Sequence, residues 1–390
     1  MLSRRLLRIK VMQALYALCQ SELSNQQLAL DAIASQFLPD LNSMEPQNLQ
    51  QLEGYRRLAS LLFEEGLKLP GALPHDDDTP HRVWKAANEA LALYRSRTVK
   101  ERDGLVRLVV DEVRTLDDSY YKLLLLLVEL AHVARLDRER VYDDPDGVPV
   151  AKESSLDRNR VIRALADFKA FDLEIIRRGI SWQDELPLVR KIFQENIKKD
   201  EQYQDYCRTH QHTDEQEQQL VQHLLRTILL KQDPARHYFE ETVLHWAENS
   251  ELVRSMAIKT LKSVQLPEGP QLVALTDDWE EDQLFINTLY RKALENDEEY
   301  EQLLADQLVN WDVERVAFLD KIVLKLALAE LLHFPNIPVK VTINEYIELA
   351  KNYSTPKSGK FVNGILDTLS EKLKAAGKLR KSGRGLLDNR

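Results

Sequence analysis

Cysteine is nearly absent from this chain: two occur in 390 residues, Cys19 and Cys207. That excludes a disulfide framework and suits a reducing compartment such as the cytoplasm. Helix breakers are also few, with 12 glycines and 14 prolines. No apolar run reaches the length of about 20 residues that a membrane-spanning helix needs; the longest, Leu123 to Val128, is flanked by Lys122 and Glu129. The chemistry of an enzyme is missing too. Gly383-Arg-Gly385 lies in a basic tail without the preceding strand that a phosphate loop requires, and no nucleophile elbow is present. The acidic stretches Pro70 to Pro80 and Asp143 to Pro149 read as loops, without the alternating ligands of a calcium loop. Cys207-Arg-Thr-His210-Gln-His212 lacks the second ligand pair of a zinc site. A non-enzymatic protein without cofactor or metal is expected.

What is present is helix-forming sequence. Hydrophobic residues make up 44% and charged residues 30%, the balance of a globular protein with a substantial core. Leucine-, glutamate-, glutamine- and arginine-rich segments predict an all-α fold. The first helix is expected over about residues 3–20, where Leu7, Val11, Ala14, Leu15 and Leu18 form one apolar stripe. Further helical patterns cover about 24–37, 50–68, 82–97, 99–114 and 117–136. Trp182, Trp246 and Trp311 recur at spacings of 64 and 65 residues, each before an apolar helix. Related helices are expected to begin at Leu220 and Phe285. Loosely repeated helical hairpins account for this pattern, with Pro267-Glu-Gly-Pro270 as a boundary. The expected organisation is a basic helix over 1–21, an inserted acidic helical array over 22–265, a helical domain over 271–376 and a basic tail over 377–390.

The formal net charge is −10, poor for a nucleic-acid binder as a total, but its distribution is uneven. Residues 1–21 hold Arg4, Arg5, Arg8 and Lys10 and no acid, and residues 351–390 hold ten cations against three acids. The intervening residues therefore carry −21, and an anionic ligand is expected where the two termini meet. Arg4, Arg5 and Arg8 occupy one sector of the first helix with no acid beside them, while Lys10 points elsewhere. Met1 to Cys19 also has the charge pattern of a mitochondrial presequence. Its low serine content, and its continuation into Gln13-Ala-Leu-Tyr16, favour a part of the mature fold.

The most informative stretch is Pro338 to Asp367. Thr342 and Glu345 have capping-box spacing, and Thr355 before Pro356 reads as an N-cap with proline at the first helical position. Lys357, Lys360, Phe361 and Gly364 then follow at helical spacing. Two cations and one ring on one face can hold a phosphate and stack a base. Gly364 inside a helix suggests that another backbone approaches closely.

This stretch resembles the C-terminal signature of the NusB family of bacterial transcription antitermination factors. So do Asn310 to Leu331 with Phe334-Pro335-Asn-Ile-Pro338, and Arg4 to Tyr16 at the other end. Long chains with a Ser-Thr-Pro-Lys-Ser turn, as at 354–358, are similar to those of the Bacteroidetes group. The resemblance implies helical bundles that bind boxA RNA of ribosomal RNA transcripts together with a small-subunit ribosomal protein (NusE), within an RNA polymerase antitermination complex. It places RNA contacts at Arg4, Arg5, Arg8 and Gln13 and at Ser358, Lys360 and Phe361, with Lys357 making this turn more basic than that of many members. The second reading is a helical scaffold in ribosomal RNA maturation, with the inserted array as its main partner surface. A fusion to a ribosomal-RNA methyltransferase is excluded because the chain has no room for a donor-binding α/β domain.

Overall fold

A computed structural model describes residues 2–42, 46–74, 78–142, 155–209, 211–264, 269–308 and 316–389. Among these, fifteen α-helices and no strand occur, so the fold is all-α. The chain divides into two compact units. One comprises Arg4–Val110 and Glu280–Arg390; the other comprises Asp111–Trp279 with the chain's first residues.

Helix α1, Arg4–Gln36, runs through the two segments expected at 3–20 and 24–37. Its stripe of Leu7, Val11, Ala14, Leu15 and Leu18 is buried, as the helical period requires. α2 is Leu49–Gly66, capped by the Asn48 side chain on the Gln51 N–H. α3, His81–Tyr142, is one helix where three were expected. Hydroxyl residues that weaken the helical pattern bond back into it instead: Thr115 Oγ1 donates to the Asp111 carbonyl at 2.9 Å and Ser119 Oγ to that of Thr115 at 2.8 Å.

In the first unit the second half of α1, α2 and residues 81–110 of α3 enclose a small core that includes Ile33, Phe37, Phe63 and Leu91. Residues 22–110 share this compact unit with the basic first helix. The rest of this unit is α11 (Trp279–Glu295), α12 (Asp297–Leu308), α13 (Phe318–His333), α14 (Val339–Tyr353) and α15 (Ser358–Ala375). α13 is buried on most of its circumference, from Ile322 to Leu331, as expected of a helix that is apolar nearly all round. It packs against α1, α12, α14 and α15. Residues 378–389 fold back onto the turn between α13 and α14: Ser382 N–H donates to the Pro335 carbonyl at 3.0 Å and Lys381 Nζ to that of Phe334 at 3.0 Å.

The second unit contains the remainder of α3 and seven helices from α4 (Arg160–Ala166) to α10 (Trp246–Ser263). Trp182 and Trp246 are core residues here. They share an aromatic cluster with Phe239, whose ring stacks on Trp246 at 4.7 Å between centroids. Trp311 lies outside the described residues, as does the Asp143 to Pro149 segment. The helices expected from Leu220 and Phe285 begin earlier, at Asp214 and Trp279. Thr213 and Gln216 form a reciprocal capping box that starts the first of them.

Candidate nucleic-acid interface

The arginines of α1 are not unpaired. Carboxylates from helices about 280–340 residues away in sequence meet each of them. Arg4 Nη2 donates to Glu281 Oε1 at 2.6 Å, Nη1 lies 3.4 Å from Asp282 Oδ1, and the guanidinium sits 4.6 Å over the Phe285 ring. Arg5 binds Glu345 with two bonds of 2.9 Å, and its side chain remains 48% exposed. This hydrogen bonding and charge raise the arginine pKa and hold the Glu345 carboxyl below its usual range.

Arg8 occupies the interior, contrary to the expectation of a free guanidinium fork. Its side chain is 3% exposed and that of Glu330 0%. Nε and Nη2 donate to Glu330 at 2.7 and 2.8 Å. Glu330 also accepts from Thr342 Oγ1 at 2.8 Å and from the Tyr346 hydroxyl at 3.2 Å. Burial disfavours the arginine charge, but the bonds to Glu330 outweigh it and its pKa is raised. Burial likewise raises the Tyr346 phenol, which stays protonated and donates. One carboxylate thus joins α1, α13 and α14. Neither Glu330 nor this role of Thr342 was visible in the sequence pattern. α14 begins at Val339, so Thr342 and Glu345 lie inside the helix and do not form its capping box. Lys10 is also fully buried, not directed outward. Gln13 is half-buried on the same helix.

At the second motif, Ser358 is 1% exposed and its Oγ donates to Asp320 Oδ2 at 2.7 Å. The Thr355 N–H donates to Ser358 Oγ at 3.2 Å, and the two hydroxyl oxygens lie 2.8 Å apart. Ser358 therefore fixes the turn onto α13 and is not available as a surface contact. Lys357 and Lys360 are exposed around it, and Phe361 is half-buried. The close approach expected at Gly364 is absent, since nothing lies within 4 Å of the position a Cβ would take. Gly359 is the crowded position, where a Cβ would meet Lys351 Cγ at 2.6 Å.

Two aromatic residues lie at the same end of α13. Phe318, its first residue, packs edge-on against Tyr16 of α1 with centroids 5.7 Å apart. The rings remain substantially exposed, at 44% for Tyr16 and 42% for Phe318. Asp320, which holds Ser358, follows two residues after Phe318. The α13 end therefore carries an exposed ring pair at Phe318 and, held two residues further on by Asp320, the Lys357–Phe361 turn. Exposure of Phe318 had no signal in the sequence, because an apolar residue beginning a helix is ordinarily core.

The family model described as NusB family matches residues 251–371. A transcription antitermination protein NusB from Chloroherpeton thalassium is 45% identical over 104 residues, which are 27% of this chain and 49% of that protein. The corresponding protein of Salinibacter ruber is 43% identical over 103 residues, 26% of this chain and 64% of its own length. That of Bacillus licheniformis is 40% identical over 96 residues, 25% of this chain and 74% of its own length. The chain thus spans between about half and two-thirds of the length of the first two relatives. No solved structure matches it significantly. Among the described residues, no helix is long and apolar enough to cross a membrane.

Proposed function

Since the chain belongs to the NusB family, we propose that it acts as an RNA-binding transcription antitermination factor in the cytoplasm. It binds boxA-like RNA of ribosomal RNA transcripts together with the small-subunit ribosomal protein NusE, and so joins the RNA polymerase antitermination complex. The observation that carries this reading is the α13 end, where exposed cations and exposed rings occur together. A single RNA strand presents phosphates to Lys357 and Lys360, and unstacked bases to Phe361, Tyr16 and Phe318. Arg4 and Arg5 supply partly exposed guanidinium edges, and Gln13 an amide. Arg8 and Ser358 act through position: they hold α1 and α15 on α13 so that the other groups converge.

The test replaces Lys360→Glu and Phe361→Ala together in the full chain. Affinity for boxA-like RNA and for a scrambled RNA is measured by fluorescence anisotropy, with and without the ribosomal protein. Loss of the preference for boxA-like RNA, with circular dichroism unchanged, is expected. Retained preference would falsify the assignment.

A further inference from the structure

A second charged surface lies at the far end of α15. The folded-back tail, the start of α14 and the last turns of α15 enclose a cavity of about 600 Å³. Four cations line it, Lys340, Lys374, Arg380 and Lys381, against two acids, Asp367 and Glu371; Ile343 and Leu379 supply apolar wall. Between Glu371 and Asp388 the sequence holds six cations and no acid.

The tail is held in place. Lys378 Nζ binds Glu299 at 2.8 Å, Ser382 Oγ lies 3.2 Å from Asn336 Oδ1, and a Cβ at Gly385 would stand 2.0 Å from the Pro335 carbonyl oxygen. Only glycine permits that contact. Lys374 and Arg380 are exposed, and among the described residues neither is engaged in an ion pair. The tail backbone that carries Arg380 and Lys381 is therefore held along a concave surface before any ligand arrives, which lowers the ordering cost of binding an anion.

The position of this cavity relative to the α13 end follows from helix geometry. Lys360 and Lys374 are both on α15. At about 100° and 1.5 Å per residue they fall within about 40° of each other and about 21 Å apart along the axis. A single strand with a rise of about 3.4 Å per nucleotide covers that span in about six nucleotides. Asp367 and Glu371 lie between the two lysines and repel phosphates there, so the attraction of a strand at this end comes from Lys340, Lys374, Arg380 and Lys381, which outnumber them.

We propose that this cavity is a second phosphate-backbone site, which grips the RNA strand beyond the nucleotides held at the α13 end. The inference rests on the reading given under Proposed function. It assigns the folded tail a task, the capture of flanking single-stranded RNA without regard to base sequence. The excess of cations favours an anionic ligand, and the RNA strand proposed for the α13 end of the same helix makes a phosphodiester the ligand within reach.

The test compares a boxA-like RNA of nine nucleotides with the same RNA extended by eight nucleotides at its 5′ or 3′ end. Wild-type chain and the double variant Lys374→Glu, Arg380→Glu are titrated over a range of salt concentrations. Both positions are exposed, so the fold is expected to persist. The variant should bind the nine-nucleotide RNA as wild type does. For one extended RNA its salt dependence should fall by about 1.4 log units per log unit of salt, about 0.7 for each lost phosphate contact. If the short RNA binds and neither extended RNA shows that fall, this inference alone is overturned. If no RNA binds the wild-type chain, the reading under Proposed function fails with it. If an acidic peptide binds the cavity and flanking RNA does not, the site is real but its ligand class is wrong, and the proposal is overturned.

Discussion

Replacing Glu330→Ala tests the physical core of this interpretation. The substitution leaves the Arg8 guanidinium buried and removes the acceptor of its Nε and Nη2. Thr342 and Tyr346 lose their hydroxyl acceptor as well. Breaking one side of a buried ion pair costs about 3–5 kcal/mol, because the surviving charge stays desolvated. Glu345 Oε2, already 3.5 Å from Arg8 Nη1, can move in and recover part of that, so the lower half of the range is expected. This is still a large share of the roughly 5–15 kcal/mol that stabilises a domain. With two compact units a single unfolding transition is not assured. Hydrogen exchange followed by mass spectrometry on peptides of α1, α13 and α14 reads the relevant unit directly. The double variant Arg8→Met, Glu330→Met removes both charges at similar volume and should recover most of the loss. It should also retain RNA affinity, since Arg8 positions α1 and does not reach solvent. A cost below about 1 kcal/mol for Glu330→Ala, or equal damage in the two variants, would refute the reasoning.

Three further outcomes follow from the geometry. Phe63→Ala, at a fully buried site among α1, α2 and α3, should cost about 3–5 kcal/mol. Amides at the end of α1 should lose exchange protection with it, whereas independence of α1 from that loss would argue against one shared core. Glu345 has a lowered folded-state pKa because Arg5 hydrogen-bonds its carboxylate. Its contribution is therefore complete above the ordinary value of 4.5 and is lost as pH falls through the lowered one. Glu345→Gln should flatten the acid limb of stability measured below pH 4.5, and an unchanged limb counts against the pairing. Tyr120 donates or accepts at 2.6 Å with Thr260 Oγ1, and burial pushes its phenol up to about 12. Tyr120→Phe should cost about 1 kcal/mol in urea unfolding, since Val273 N–H keeps Thr260 Oγ1 as acceptor at 3.2 Å.

Periodicity and composition carried the fold class but not the assembly. The apolar stripe of α1 was readable because a core-facing helix must bury one face, and Leu7, Val11 and Leu18 do so. The breaks expected within residues 82–136 were not real; near residue 115 the hydroxyl side chains that interrupt the apolar pattern bond to their own helix. The division of the compact units near residue 111 has no local signal. Nothing local in residues 22–110 distinguishes a helix that packs on α1 from one that packs elsewhere. The exposure of Lys357 and Lys360 was legible, because a cation at the start of a helix ordinarily stays in solvent. The site was misread where a partner arrives from afar: Arg8 looks unopposed until Glu330 is brought beside it. Ser358 looks like a surface hydroxyl until Asp320 accepts its hydrogen bond. Gly364 shows the converse case, in which a residue that suggests crowding stands in open space.

The pairing of the α1 arginines also changes where RNA affinity should originate. In the sequence the first 21 residues are a source of four positive charges. In the fold Glu281, Asp282, Glu330 and Glu345 stand against three of them, and the fourth, Lys10, is buried. A field built from opposed charges within about 4 Å of each other is small beyond one Debye length, about 8 Å at physiological salt. The C-terminal side has fewer opponents: residues 351–390 hold ten cations against three acids, and Lys357, Lys360, Lys374 and Arg380 among them are exposed. Under the proposed function, long-range attraction of RNA should therefore belong chiefly to the C-terminal side, with α1 contacts forming only after the strand has docked. Charge reversal at Lys360 should accordingly lower the association rate and its salt dependence, and reversal at Lys374 should do so only for RNA extended beyond the boxA-like nucleotides. Neutralising Arg5 should act mainly on dissociation. Stopped-flow kinetics at two ionic strengths separates these effects. An association rate governed by Arg5, and indifferent to the lysines, would mean that the α1 pairs open before RNA arrives.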